Sequence, residues 1–96
     1  MKNEKTALVT GANRGIGFEV VRELARLGLR VFLGARNAKA GRAAAEKLKS
    51  EGDVIFLEID VSDEKSIRTA SEELSRQSDG LDVLVNNAGV LLDDGK

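Results

Sequence analysis

Apolar residues in this chain gather into four short runs, Ala7-Leu8-Val9, Val31-Phe32-Leu33, Val54-Ile55-Phe56-Leu57 and Val83-Leu84-Val85. Each run is too short for a helix and rich in β-branched or bulky residues, which predicts strands. The runs are continuous rather than alternating, so they read as strands covered on both faces, as in a parallel sheet.

The stretches between them carry helical spacing. Ile16, Val20, Leu24 and Leu27 share one face, and Gly28 stands where a helix ends on a C′ glycine. The second stretch, 38–50, places Ala40, Ala44 and Leu48 on one stripe, with small residues that permit close packing on a sheet and Gly41 as a weak point. The third opens on Ser62 as the expected N-cap, with Asp63 and Glu64 in the first turn, an apolar stripe of Ile67, Ala70 and Leu74, and an end at Ser78-Asp79-Gly80.

The order is therefore β-α-β-α-β-α-β, without a repeat, a low-complexity linker or a proline. Right-handed crossovers put the first two helices on one face of the sheet. If the fourth strand returns beside the first, the third helix lies on the other face and the strand order is 3-2-1-4. The predicted fold class is α/β, a three-layer Rossmann-like arrangement with a four-stranded parallel sheet. It is an incomplete doubly wound fold, because strand four is left as an edge and Leu91 to Lys96 is too short to add another helix and strand.

Composition narrows the chemistry. With 96 residues, 42% apolar and 32% charged, the chain has the profile of one folded unit rather than of a disordered segment. A net charge of −1, spread along the chain, leaves no electrostatic footprint for nucleic acid or an anionic membrane, and no apolar run is long enough to span a bilayer. The start leads into a strand rather than a signal segment, so a cytoplasmic location is expected. No Cys and no His are present, which excludes disulfides, thiolate metal sites and Cys or His catalysis.

Thr10-Gly11-Ala12-Asn13-Arg14-Gly15-Ile16-Gly17 lies where the first strand gives way to the first helix. In that position Gly11 suits a tight turn, Gly15 lets the backbone approach a pyrophosphate, and Gly17 lets the helix sit close to the sheet with its free N–H groups facing an anion. The segment resembles the TGxxxGxG cofactor signature of the short-chain dehydrogenase/reductase family, and Asn86-Asn87-Ala88-Gly89 resembles that family's NNAG motif. The likeness covers essentially the whole chain and is strongest to carbonyl-reductase-like members. The resemblance implies that residues 1–96 are the N-terminal part of an NAD(P)-binding Rossmann-like domain. Strand order 3-2-1-4 independently brings the ends of strands one and four together at the crevice where such folds bind ligands.

Cofactor choice turns on the end of the second strand. NAD-preferring sites usually place an acid there for the ribose 2′-hydroxyl, whereas this chain reads Gly34-Ala35-Arg36-Asn37. Arg36 can clamp a 2′-phosphate with Arg14 approaching from the glycine loop, which favours NADP(H) over NAD(H). The resemblance gives Asp60 and Val61 an adenine-binding role, Asp60 accepting from the adenine amino group and Val61 packing on the ring. On the residues alone Asp60 fits a helix-start position equally well. The cofactor-binding set is then Gly11, Asn13, Arg14, Gly15, Ile16, Gly17, Arg36, Asp60, Val61, Asn87, Ala88 and Gly89.

In the resembling family, hydride transfer relies on a Tyr-x-x-x-Lys pair, a Ser and usually an Asn beyond NNAG, and this chain has no Tyr. Ser62, Ser66, Ser71, Ser75 and Ser78 are assigned capping and solvent-facing roles, so no catalytic residue and no metal site is named. The leading expectation is the NADP(H)-binding portion of an oxidoreductase that acts on a small carbonyl or alcohol substrate once its missing half is supplied. The alternative is a non-catalytic nucleotide-binding or interaction module that self-associates through the edge of strand four.

Overall fold

The computed structural model describes residues 5–87. Seven elements alternate along it: β1 Thr6–Thr10, α1 Gly15–Arg26, β2 Arg30–Ala35, α2 Ala38–Lys47, β3 Asp53–Glu58, α3 Glu64–Gln77 and β4 Val83–Asn86. The strands form one parallel sheet in the order β3-β2-β1-β4, as the sequence predicts. The register sets Leu8 beside Phe32 and Leu84, and Val9 beside Leu33 and Val85.

Register and pleat sort the apolar side chains between two cores. Ala7, Val9, Val31, Leu33 and Val54 face α1 and α2, where they meet Val21, Ala25, Ala44 and Leu48. Leu8, Phe32, Leu57 and Ile59 face α3, which supplies Ala70 and the partly buried Leu74. Phe32, Leu33, Leu48, Val9, Val21 and Val31 are fully enclosed, and burying each stabilises the fold by about 1.5–3 kcal/mol. Continuous burial of β1 and β2 matches their continuous apolar sequences, while β4 is only half covered. Its Leu84 remains 59% exposed.

Helix α1 differs from the sequence expectation in the face it buries. Its buried residues are Gly17, Val21 and Ala25, the last two in the core on the sheet, whereas Ile16 and Leu27 are 76% and 75% exposed. Small residues bring the helix axis close to the strands, so the larger Val20 and Leu24 sit at the rim of the core, partly buried against it. The expected end does occur at Gly28, whose N–H donates to Ala25 O at 3.0 Å.

Helix α2 stops at Lys47, short of the expected Ser50, and is capped by Asn37, whose Oδ1 accepts from the Ala40 N–H at 2.9 Å. Gly41 earns its place by packing: a Cβ there would lie 2.1 Å from the Phe56 ring. Helix α3 buries Ala70 and leaves Ile67 exposed. Its N-cap is Asp63, which accepts from the Lys65 N–H at 3.1 Å, and not Ser62 as the sequence suggests. At the opposite end of the sheet, Arg30 joins Asp53 and the Gln77 carbonyl, and Asp82 exchanges hydrogen bonds with the Thr6 main chain. Among the described residues no helix is long and apolar enough to cross a membrane.

Candidate functional site

The chemistry gathers at the C-terminal ends of the strands, where the chain between β1 and α1 has the backbone its glycines dictate. Gly11 and Gly15 take φ values of 61° and 66°, in the left-handed region that side chains with a Cβ disfavour. Space above Gly15 is open for at least 4 Å, so its backbone lies bare to a ligand. Gly17 serves the opposite need. A Cβ there would stand 2.7 Å from Gly11 O and 2.9 Å from Asn87 Nδ2.

That crowding exists because the two sequence motifs are bonded to each other. Asn87 Nδ2 donates to Gly11 O at 3.0 Å, and Thr10 Oγ1 donates to Asn86 Oδ1 at 2.9 Å. The Ala12 N–H donates to Gly34 O at 2.9 Å, and the Ile59 N–H to Ala35 O at 3.0 Å. These bonds carry the lateral ties of the sheet beyond the strand ends and hold the loops in a common frame. The sequence assigns Gly17 to close helix–sheet contact; its nearest neighbours are the glycine loop and Asn87 instead.

Between the loops opens a crevice of about 720 Å³. Of the residues singled out in the sequence, Gly11, Asn13, Arg14, Gly15, Arg36, Asp60, Val61 and Asn87 line it. Gly17 is buried beneath the glycine loop. Ile16 turns its side chain away, into a shallow apolar depression shared with Val20 and Leu24 on the flank of α1. Ala88 and Gly89 lie outside the described residues.

Arg14 occupies the N-cap of α1, and no side chain caps that helix, in contrast to α2 and α3. The first-turn N–H groups therefore open towards the loop, a setting that favours an anion. Arg14 and Arg36 add two exposed guanidinium groups to the same crevice. Positive charge, bare backbone and an apolar wall of Ile59 and Val61 together suit a ligand that is both anionic and flat.

Two lining residues, Ile59 and Ser62, escape the sequence reading. Ser62 is not a helix cap. Its hydroxyl donates to Asp60 Oδ1 at 2.6 Å and its N–H to the same oxygen at 3.0 Å. Asp60 therefore closes an Asx turn rather than starting a helix, and the Asp-x-Ser spacing was the available signal. These two bonds, with the charge of Arg36 behind them, hold the Asp60 carboxyl below the usual carboxylate range. Ser66 is likewise engaged, its Oγ accepting from the Asp60 N–H at 2.9 Å. Ser71 and Ser75 are exposed as expected. Among the described residues no group of three or more acidic side chains could hold a metal ion.

Comparison with known proteins follows the same lines as the geometry. Carbonyl reductase [NADPH] 1 of Bos taurus is 50% identical over 86 residues, which are 88% of this chain and 31% of that protein. The structure of menthone neomenthol reductase from Mentha piperita superposes with a TM-score of 0.84 at 38% identity, over 90% of this chain and 32% of that one. A variant of actinorhodin polyketide ketoreductase with NADPH gives 0.85 at 34% identity, over 91% of this chain and 34% of that one. The chain thus spans about a third of the length of these proteins. The model of the short chain dehydrogenase family matches residues 5–96, a stretch that takes in the glycine loop, the crevice and the strand order built above, and the chain belongs to that family.

Proposed function

We propose that this chain is the NADP(H)-binding portion of an oxidoreductase that moves hydride between the nicotinamide and a carbonyl or alcohol carbon. Residues 1–96 form one NAD(P)-binding unit, and the substrate-side chemistry belongs to other parts of a longer protein. The observation that carries this reading is the meeting of the glycine loop, Arg36, Asp60 and Asn87 around one crevice, from four separate stretches of sequence. The reductase relatives, one of them named for NADPH, support the reaction class and the dinucleotide.

The residues present fit such a group. Its pyrophosphate would be held by the bare backbone at Gly15, where no side chain intervenes, and by the uncapped first turn of α1, to which Ile16 contributes its main chain. Arg14 and Arg36 receive the 2′-phosphate, and no acidic residue stands at the end of β2 to repel it. Asp60 would accept from the adenine amino group, Val61 would pack on the ring, and Asn87 lines the crevice beside the glycine loop; the sequence motif assigns Ala88 and Gly89 to the same set. Gly17 and Asn87 hold the glycine loop in place. When bound, a nicotinamide dinucleotide supplies the hydride donor or acceptor.

Titration calorimetry tests the reading. The chain binds 2′,5′-ADP and NADPH, weakly because the contacts that immobilise the nicotinamide are lacking, and prefers NADPH to NADH. Arg36→Ala removes most of that preference, a loss of about tenfold or more for a charge-assisted contact. An unchanged preference would take Arg36 out of the assignment, and no binding of 2′,5′-ADP at millimolar concentration would refute the nucleotide reading itself.

A further inference from the structure

We propose that Ser62 is a positioning residue. It fixes the Asp60 carboxylate so that the crevice selects a 6-amino purine over a 6-oxo purine, an inference that rests on the dinucleotide reading. Asp60 is held at both ends. Its N–H is bound by Ser66 Oγ at 2.9 Å, which anchors the main chain to the first turns of α3. Its Oδ1 takes both donors of Ser62, the hydroxyl at 2.6 Å and the N–H at 3.0 Å.

Two donors on one oxygen have a directional consequence. They fix the rotation of the carboxylate plane and occupy the acceptor capacity of Oδ1, so Oδ2 is the atom left to meet a ligand. The group is ionised and acceptor-only, its proton affinity lowered first by Ser62 and then by the charge of Arg36. An acceptor held in one orientation beside the Ile59–Val61 wall pairs with an exocyclic amino group. In the same place a 6-oxo purine sets its carbonyl against Oδ2, acceptor against acceptor, and pairs only by shifting to present its N1–H.

Without the hydroxyl of Ser62 the carboxylate keeps only the backbone donor and gains rotational freedom in an exposed crevice. The purine discrimination then falls, while the phosphate contacts at Arg14, Arg36 and the glycine loop stay as they were. The hydroxyl, rather than the size of the side chain, carries the effect, so threonine is expected to substitute for serine.

The experiment compares 2′,5′-ADP with its hypoxanthine counterpart, inosine 2′,5′-bisphosphate, by calorimetry on the unmodified chain, Ser62→Ala and Ser62→Thr. The unmodified chain binds the adenine compound about tenfold or more tightly. Ser62→Ala lowers that ratio severalfold by weakening the adenine compound alone, and Ser62→Thr restores it. A ratio unmoved by Ser62→Ala, or both affinities falling together as for a merely destabilised protein, overturns the inference and leaves the dinucleotide reading standing. Failure of the unmodified chain to bind either compound overturns that reading and the inference with it.

Discussion

A methyl group has no place at Gly17, where it would stand 2.7 Å from a backbone oxygen and 2.9 Å from the amide of Asn87. The carbonyl of Gly11 cannot rotate aside as a flexible side chain would, because it accepts the bond that joins the glycine loop to the end of β4. Gly17→Ala therefore has to displace that loop and break the bond, at a cost of about 1–3 kcal/mol. Urea unfolding should show the loss, and calorimetry with 2′,5′-ADP should show weaker binding at temperatures where the variant is still folded. A variant as stable and as tight-binding as the unmodified chain would mean that the loop has slack that the packing does not display. Gly17 was legible in the sequence as a required glycine, but its reason was not, because spacing along a chain carries no record of what returns from the next motif. Ser62 shows the same limit from the other side. Preceding an acidic helix start, it has the pattern of an N-cap, which competes with the Asp-x-Ser spacing of a turn, and the folded chain commits its hydroxyl to Asp60.

Helical periodicity located α1 well, yet the stripe of its largest apolar residues is not the stripe it buries. A helix that lies close to a sheet needs small residues at the contact, and Val21 and Ala25 supply them. Ile16 and Leu27 then face solvent, while Val20 and Leu24 pack partly buried at the rim of the core. A reading weighted by hydrophobicity favours the large residues and so lands one position off around the helix. The consequence is an inverted ranking of substitutions. Val21→Ala, at a fully enclosed site, should cost about 1–3 kcal/mol. Ile16→Gln should stay within about 0.5 kcal/mol, although it removes the larger apolar group. Chemical denaturation of the two variants side by side decides the matter, and a costlier Ile16→Gln would return the buried face to the stripe the sequence suggested. The strands were easier to place, since continuous apolar runs such as Val31-Phe32-Leu33 have one stable setting, covered on both sides.

At the scale of the whole chain, the two faces of the sheet are unequally covered. Helices α1 and α2 share one, whereas α3 alone serves the other and leaves Leu84 open on the edge strand. Strand order and element count were readable in advance because crossover handedness and short connections leave few topologies, and order 3-2-1-4 is the one that also brings the motifs at the ends of β1 and β4 together. Chemistry divides along the same line as coverage. The crevice has groups suited to binding an anionic ligand, bare backbone and two guanidinium groups, and beside them an ionised carboxylate. Reduction of a carbonyl also needs an acid that delivers a proton to the developing alkoxide near neutral pH. Arginine holds its proton too firmly for that task, the hydroxyl of Ser62 is bonded to Asp60, and the chain contains no Tyr, His or Cys. The 96-residue chain should accordingly bind NADPH without consuming it. Incubated with NADPH and a reactive carbonyl compound, it should leave the reduced-nicotinamide absorbance to decay at the rate of the protein-free control. Steady turnover proportional to protein concentration, unchanged after Arg36→Ala weakens the binding of NADPH, would point to a contaminant. Turnover that falls in step with that substitution would place a proton donor within these residues and overturn the division between binding and chemistry.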